Sequence, residues 1–255
     1  MLIGIGLLTG VTTVLFGFGG GFVTVPVVVW SDAALGGGAM RVATATSALV
    51  MVVNAGIATA ATRRTVLAAL RGRAALLVLL AAGGAAGALL TRFVPPAVAR
   101  WAFVGYLLLT IADLLVRPGF VRPRTGGTAP RRPLPTALGA PIGAVAAFLG
   151  VGGSVMTVPL LRRAGHTMHA AAALANPLTL VIALPAALVA LPDAAVPGAH
   201  LVGLIDPRAA ACLLAGALPV IIALRRRPPR IPDQAYAWSY LGLLVLVTAA
   251  MLLPG

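Results

Sequence analysis

Charge is the scarcest property of this chain. Only 9% of its 255 residues are charged and 60% are hydrophobic, where a soluble domain carries roughly 25% charged residues. There is no lysine and no glutamate: the 19 basic residues are all arginine and the five acids all aspartate. One cysteine, Cys212, excludes an internal disulfide and a thiolate metal cluster. Aromatic residues make up 5% and are not interleaved with the arginines. The net charge of +14 therefore does not read as a nucleic-acid surface, and no nucleic-acid partner is expected. No charged stretch precedes the first apolar segment, so a cleaved signal peptide is not expected.

What is present is apolar length. Mean hydropathy is +1.04, too much apolar surface for a chain of this size to bury inside itself. The solvent it calls for is a lipid bilayer, and the class it predicts is an all-α integral membrane protein, since each helical crossing needs roughly 20 apolar residues. Apolar segments run over 2–16, 21–30, 42–61, 74–91, 98–116, 136–149, 154–161, 170–191, 209–224 and 236–253. Segments 21–30 and 154–161 are too short to cross, and each contains a proline. The pairs 2–30 and 136–161 read as re-entrant hairpins, each followed by three crossings. With the loop 62–73 placed in the cytoplasm, that scheme puts most of the arginines on the inner side. The inner loops are those at 62–73, 117–135, 162–163 and 225–230; only Arg41, Arg92, Arg100 and Arg208 remain outside. This is the bias of cytoplasmic loops. Both chain ends are then expected outside, and the protein is expected to be multi-pass.

A short phrase occurs twice. "GFGGGFVTVP" covers residues 17–26 and "GVGGSVMTVP" covers 150–159, 133 residues later. The match extends back to Gly6 and Gly10 against Gly139 and Gly143. The predicted organisation is a first repeat at 1–116, a cytoplasmic linker at 117–135 and a second repeat at 136–255. Three crossings per half is an odd number, so the halves are expected to be inverted. Inverted repeats with broken helices meeting near the midplane are a mark of secondary transporters. At a hairpin tip glycine turns the chain without steric cost. The half-helices that start near Gly21 and Ser154 would aim free N–H groups at the tip, which favours an anion. Candidate substrate-binding residues there are Gly19, Gly20, Gly21, Thr24, Gly152, Gly153, Ser154 and Thr157. The carbonyl ends of the incoming helices, near Phe16 and Leu149, point at the same tip and leave a cation or proton open. A nucleotide site is excluded because Phe22 stands where a third glycine would be needed; no cofactor is expected. Glycines 6, 10, 83, 87, 139 and 143 read instead as faces for close helix packing.

The paired phrases, each followed by a long Ala/Thr/Ser-rich helix ("RVATATSALVMVVNA" and "AAALANPLTLVIALPA"), resemble the TauE/SafE family of sulfite exporters over nearly the whole chain. The resemblance implies a transporter in a bacterial plasma membrane, not an enzyme. Its substrate would be sulfite, a sulfonate or another small organic anion, driven by an ion gradient, with H+ or Na+ as the coupling ion. Ser154, where the first copy has Gly21, departs from that pattern. So does Asn176–Pro177, where the first half has Thr46–Ser47.

Thr46, Ser47 and Asn176 fall at an offset of 130 and are candidates to face the same cavity; back-bonding to their own helix is the alternative. Asn54, deeper in its helix, either lines the site or bonds a neighbouring helix. Asp113 is a coupling candidate, with a helix-end ion pair to Arg117 as the simpler account. Arg41 stands at the outer edge of a pathway helix. His166, His169 and His200 are expected to be solvated, and their spacing fits no metal site. An anion channel or a carboxylate permease would use the same parts. An intramembrane protease built on Ser154 lacks a histidine at membrane depth. The assembly is expected to be a monomer or a homodimer.

Overall fold

The computed structural model describes residues 2–31, 38–117, 119–121, 134–192 and 201–252. Most of the linker at 117–135 lies outside them, and so does His200. The described chain is helical, apart from one antiparallel bridge between Val202 and Ile205. The first half contains α1 (Leu2–Phe16), α2 (Gly21–Ser31), α3 (Ala39–Ala60), α4 (Arg64–Leu67), α5 (Ala74–Leu90) and α6 (Pro96–Val116). The second contains α7 (Gly139–Leu149), α8 (Ser154–Arg163), α9 (Met168–Ala190), α10 (Pro207–Arg226) and α11 (Asp233–Leu252). Every apolar segment of the sequence is a helix, with ends shifted by a few residues. The short α4 was not anticipated; the loop that holds it bends by 81° into α5.

Among the described residues, five helices are long and apolar enough to cross a membrane: α3, α6, α9, α10 and α11. A sixth span is reached when α5 is counted with the bent segment before it. With this composition they make a multi-pass membrane protein. α3 and α9 are the most buried of the five, and they pack against each other at the centre. That placement explains their Ala, Thr and Ser content, because two backbones approach closely only over small side chains.

The two arms of each expected hairpin hardly touch each other. α1 lies along α10, α7 lies along α5, and α2 and α8 lie on α3 and α9. The glycine faces make the first two contacts. A methyl added at Gly10 would come within 2.6 Å of the Ala217 carbonyl, and one at Gly6 would overlap the Leu213 carbonyl. Gly83 and Gly87 meet the Ala140 and Ala144 carbonyls in the same way. Backbone atoms cannot step aside, so these positions admit no larger residue, as the sequence reading anticipated.

Two polar groups depart from expectation. His166 is buried, not solvated. Arg162, read as an ordinary loop charge, is 1% exposed. Its guanidinium donates to the Phe120 and His166 carbonyls and pairs with the Asp233 carboxylate. Asp233 also accepts the N–H of Met168 at 2.8 Å. This knot fastens the end of α8 to the first turns of α9 and α11.

Candidate functional site

The two glycine phrases end up side by side. A methyl on Gly21 would lie 2.8 Å from the Gly150 carbonyl, and one on Gly152 would lie 3.3 Å from the Phe18 carbonyl. Backbone turns at Gly17, Gly19 and Gly20 in the first tip, and at Gly150 and Gly152 in the second, have positive φ, which only glycine adopts freely. α2 and α8 start at these turns. Among the described residues, the backbone N–H groups of Phe18, Gly19, Gly20, Gly21 and Phe22 make no hydrogen bond, nor do those of Gly152, Gly153, Ser154 and Val155. Nine donors are thus gathered where two helix N-termini converge, all on buried residues.

One face of α3 and one face of α9 close around the tips. On α3 the stripe is Thr44, Ser47, Met51 and Asn54, with Thr44 against Gly150, Met51 against Gly19, Gly21 and Gly152, and Asn54 against Gly20. On α9 it is Ala172, Ala175, Thr179 and Ile182, with the first two against Gly17, Thr179 against Gly19 and Gly152, and Ile182 against Gly153. The two stripes match position for position at an offset of 128, whereas the tips match at 133. The expected equivalence of Thr46–Ser47 with Asn176–Pro177, at 130, is therefore replaced. The connection between α8 and α9 is shorter than that between α2 and α3, and the register slips accordingly. Two hydroxyls cross between the halves: Ser47 donates to the Gly150 carbonyl at 2.7 Å and Thr179 to the Gly17 carbonyl at 3.4 Å.

The candidate side chains divide into three groups. Asn54, Ser154, Thr157 and Asn176 are fully buried. Both amide atoms of Asn54, both hydroxyl oxygens and Asn176 Oδ1 have no hydrogen-bond partner. Buried polar atoms left this way are costly unless something satisfies them. Thr24 and Ser47 are already engaged, Thr24 with the Gly20 carbonyl one turn back and Ser47 with Gly150, while Asn176 Nδ2 donates to the Ala172 carbonyl of its own helix at 3.2 Å, which is the back-bonding alternative. Thr46 is turned away: its hydroxyl accepts the N–H of Asp206 at 2.9 Å and steadies the start of α10. Asp113 is not at the tips. It holds Arg117 at 3.1 Å and Arg163 at 2.7 Å, where α6 meets α8. Arg41 is half-buried and lines a narrow cavity that runs between α3, α5 and α9 to Met51, Gly150 and Ile182.

The sequence reading missed several neighbours of the tips. Met51 and Thr179 stand between them. Thr9 and Thr13, both buried, lie beside Gly20. Tyr236 donates to the Leu15 carbonyl and Tyr240 to the Val155 carbonyl at 3.2 Å. The Tyr236 bond occupies part of the carbonyl end of α1, the end that left a cation open. The spacing 44, 47, 51, 54 was the available signal, because it places four residues on one helical face.

The sequence pattern of the family described as sulfite exporter TauE/SafE matches residues 2–251, and the chain belongs to that family. It is a family of membrane transporters for sulfite or related anions. No curated protein and no solved structure matches the chain significantly.

Proposed function

We propose that the chain is a secondary transporter that exports a small anion, sulfite or an organosulfonate, by alternating access around the two tips. The observation that carries this reading is the set of nine unpaired backbone N–H groups where α2 and α8 begin. Irregular backbone is tolerated at membrane depth only where it is buried in protein or lines a cavity, and free N–H groups at helix N-termini suit an anion. Gly19, Gly20, Gly21, Gly152, Gly153, Ser154 and Thr157 supply this site. Asn54 adds its amide beside Gly20, Ser47 shapes the second tip, and Asn176, whose Nδ2 is held by the Ala172 carbonyl, joins the site only if that bond opens during the cycle.

The halves 1–116 and 136–255, joined by 117–135, are taken as inverted repeats. The matched contacts of α3 and α9 with opposite tips support that organisation. The cavity from Arg41 to Met51 supplies one half-path, and Met51 and Thr179 close it at the tips. The chain is placed in the bacterial plasma membrane with both ends outside. Coupling of H+ or Na+ through Asp113 requires release of the Arg117 and Arg163 pairs, which occupy both carboxylate oxygens.

The test is a thermal-shift screen of the detergent-purified protein at fixed ionic strength against sulfite, sulfate, sulfoacetate, taurine and small carboxylates. A ligand that binds only the folded state raises the melting temperature. The expected result is a shift with sulfite or a sulfonate that is lost in Gly20→Val. A shift with no anion, or one that survives Gly20→Val, would remove the tips from substrate binding.

A further inference from the structure

The two tips are related in sequence but their surroundings differ in polarity. On the flank of the first tip, a methyl at Gly20 would lie 2.9 Å from Asn54 Nδ2 and 3.6 Å from Thr13 Oγ1, and would overlap the Thr9 methyl. On the equivalent flank of the second tip, Ile182 takes the place of Asn54 and Ile142 the place of Thr9 at Gly153. The backbones differ too: Gly20 has φ +92° and Gly153 has φ −73°. All of these side chains are buried. Asn54 is 0% exposed and neither its nitrogen nor its oxygen has a partner.

We infer that the side-chain seat for the ligand is on the Gly20 flank alone, where the Asn54 amide holds it together with the N–H groups of the tips, and that Ile182 and Ile142 make the Gly153 flank an apolar wall. This rests on the small-anion reading above and makes it specific. The hydroxyls of Thr9 and Thr13 donate to the Ile5 and Thr9 carbonyls of their own helix, at 2.9 and 2.8 Å. Their hydrogens are committed and their lone pairs remain. The flank therefore offers N–H donors to a negatively charged oxygen and hydroxyl acceptors to a protonated one. The side chains nearest to Gly20 and Gly153 are all uncharged: Thr9, Asn54 and Thr13 at the first, Ile182 and Ile142 at the second. A seat of neutral groups pays a much smaller desolvation cost for one charge than for two. The ligand class this fits is a small, singly charged oxyanion, with a proton on one oxygen where its chemistry allows, as in hydrogen sulfite.

The experiment is calorimetric titration of the full-length purified protein with sulfite and with methanesulfonate, a permanent monoanion. Wild type, Asn54→Leu and Ile182→Ala are compared, and the melting temperature of each is recorded without ligand. Loss of a hydrogen bond to a charged group weakens binding about ten-fold or more. Asn54→Leu is expected to weaken both ligands by that factor, and Ile182→Ala by less than about two-fold. If the leucine variant does not fold, Asn54→Ala replaces it, with the same expectation. Equal losses in the two variants, or full affinity in the folded Asn54 variant, overturn the one-flank seat while leaving anion binding at the tips intact. Wild-type protein that binds neither ligand overturns the small-anion reading, and the seat with it.

Discussion

Gly20 and Gly153 occupy the same place in the repeated phrase, yet substitution should treat them differently. Alanine at Gly20 has to adopt a left-handed backbone and push against Thr9 and Asn54. Those two effects together cost about 3 kcal/mol. Alanine at Gly153 keeps its right-handed backbone and meets only the end of Ile182, a flexible group, at a cost of about 1 kcal/mol. Ligand-free thermal melts should show the Gly20→Ala loss to be the larger; equal losses would mean that the two tips have the same backbone. This difference was not legible in the sequence, because both copies read Gly-x-Gly-Gly. It arises from partners 34 and 29 residues further along the chain, on α3 and α9. Asn54 was legible as a candidate because an amide deep in an apolar helix needs a partner. Thr9 and Thr13 were not, since a threonine that bonds its own helix carries no sign of what its lone pairs face.

At the scale of elements, the helices were legible because apolar length is set by the bilayer. Their packing was legible only where glycine faces betrayed it, along α1–α10 and α5–α7. Two features escaped. The register of α9 depends on the length of the α8–α9 connection, which composition does not report. The Arg162–Asp233 pair joins residues 71 positions apart and reads in sequence as two loop charges. Removing one partner of a buried pair costs 3–5 kcal/mol. Asp233 is 38% exposed, so the loss expected for Asp233→Ala is smaller, about 2 kcal/mol. It should appear as a lower melting temperature in protein that still inserts into the membrane. An unchanged melt would mean that the knot between α8, α9 and α11 contributes nothing. Gly87→Val should be more damaging, because its side chain would meet the Ala144 backbone and force α5 off α7. The expected outcome is little or no monodisperse protein on size-exclusion chromatography, against a normal yield for a substitution at the open Gly4.

At the scale of the whole molecule, the account joins a topology to a transport cycle. In a Cys212→Ala background, a cysteine at the exposed Thr65 should react with an impermeant thiol reagent only from the cytoplasmic side. One at Phe93, 81% exposed, should react only from the other. Labelling of both from one side would break the three-crossing scheme and the inversion of the halves. The central claim is that a small oxyanion is carried, not merely admitted, through a site built on the tips. It is tested most directly by counterflow in proteoliposomes loaded with unlabelled sulfite and diluted into radiolabelled sulfite. The account predicts saturable uptake of label that requires internal sulfite and disappears in Gly20→Val. Uptake that rises linearly with concentration and ignores internal sulfite would contradict it, as would full exchange in Gly20→Val.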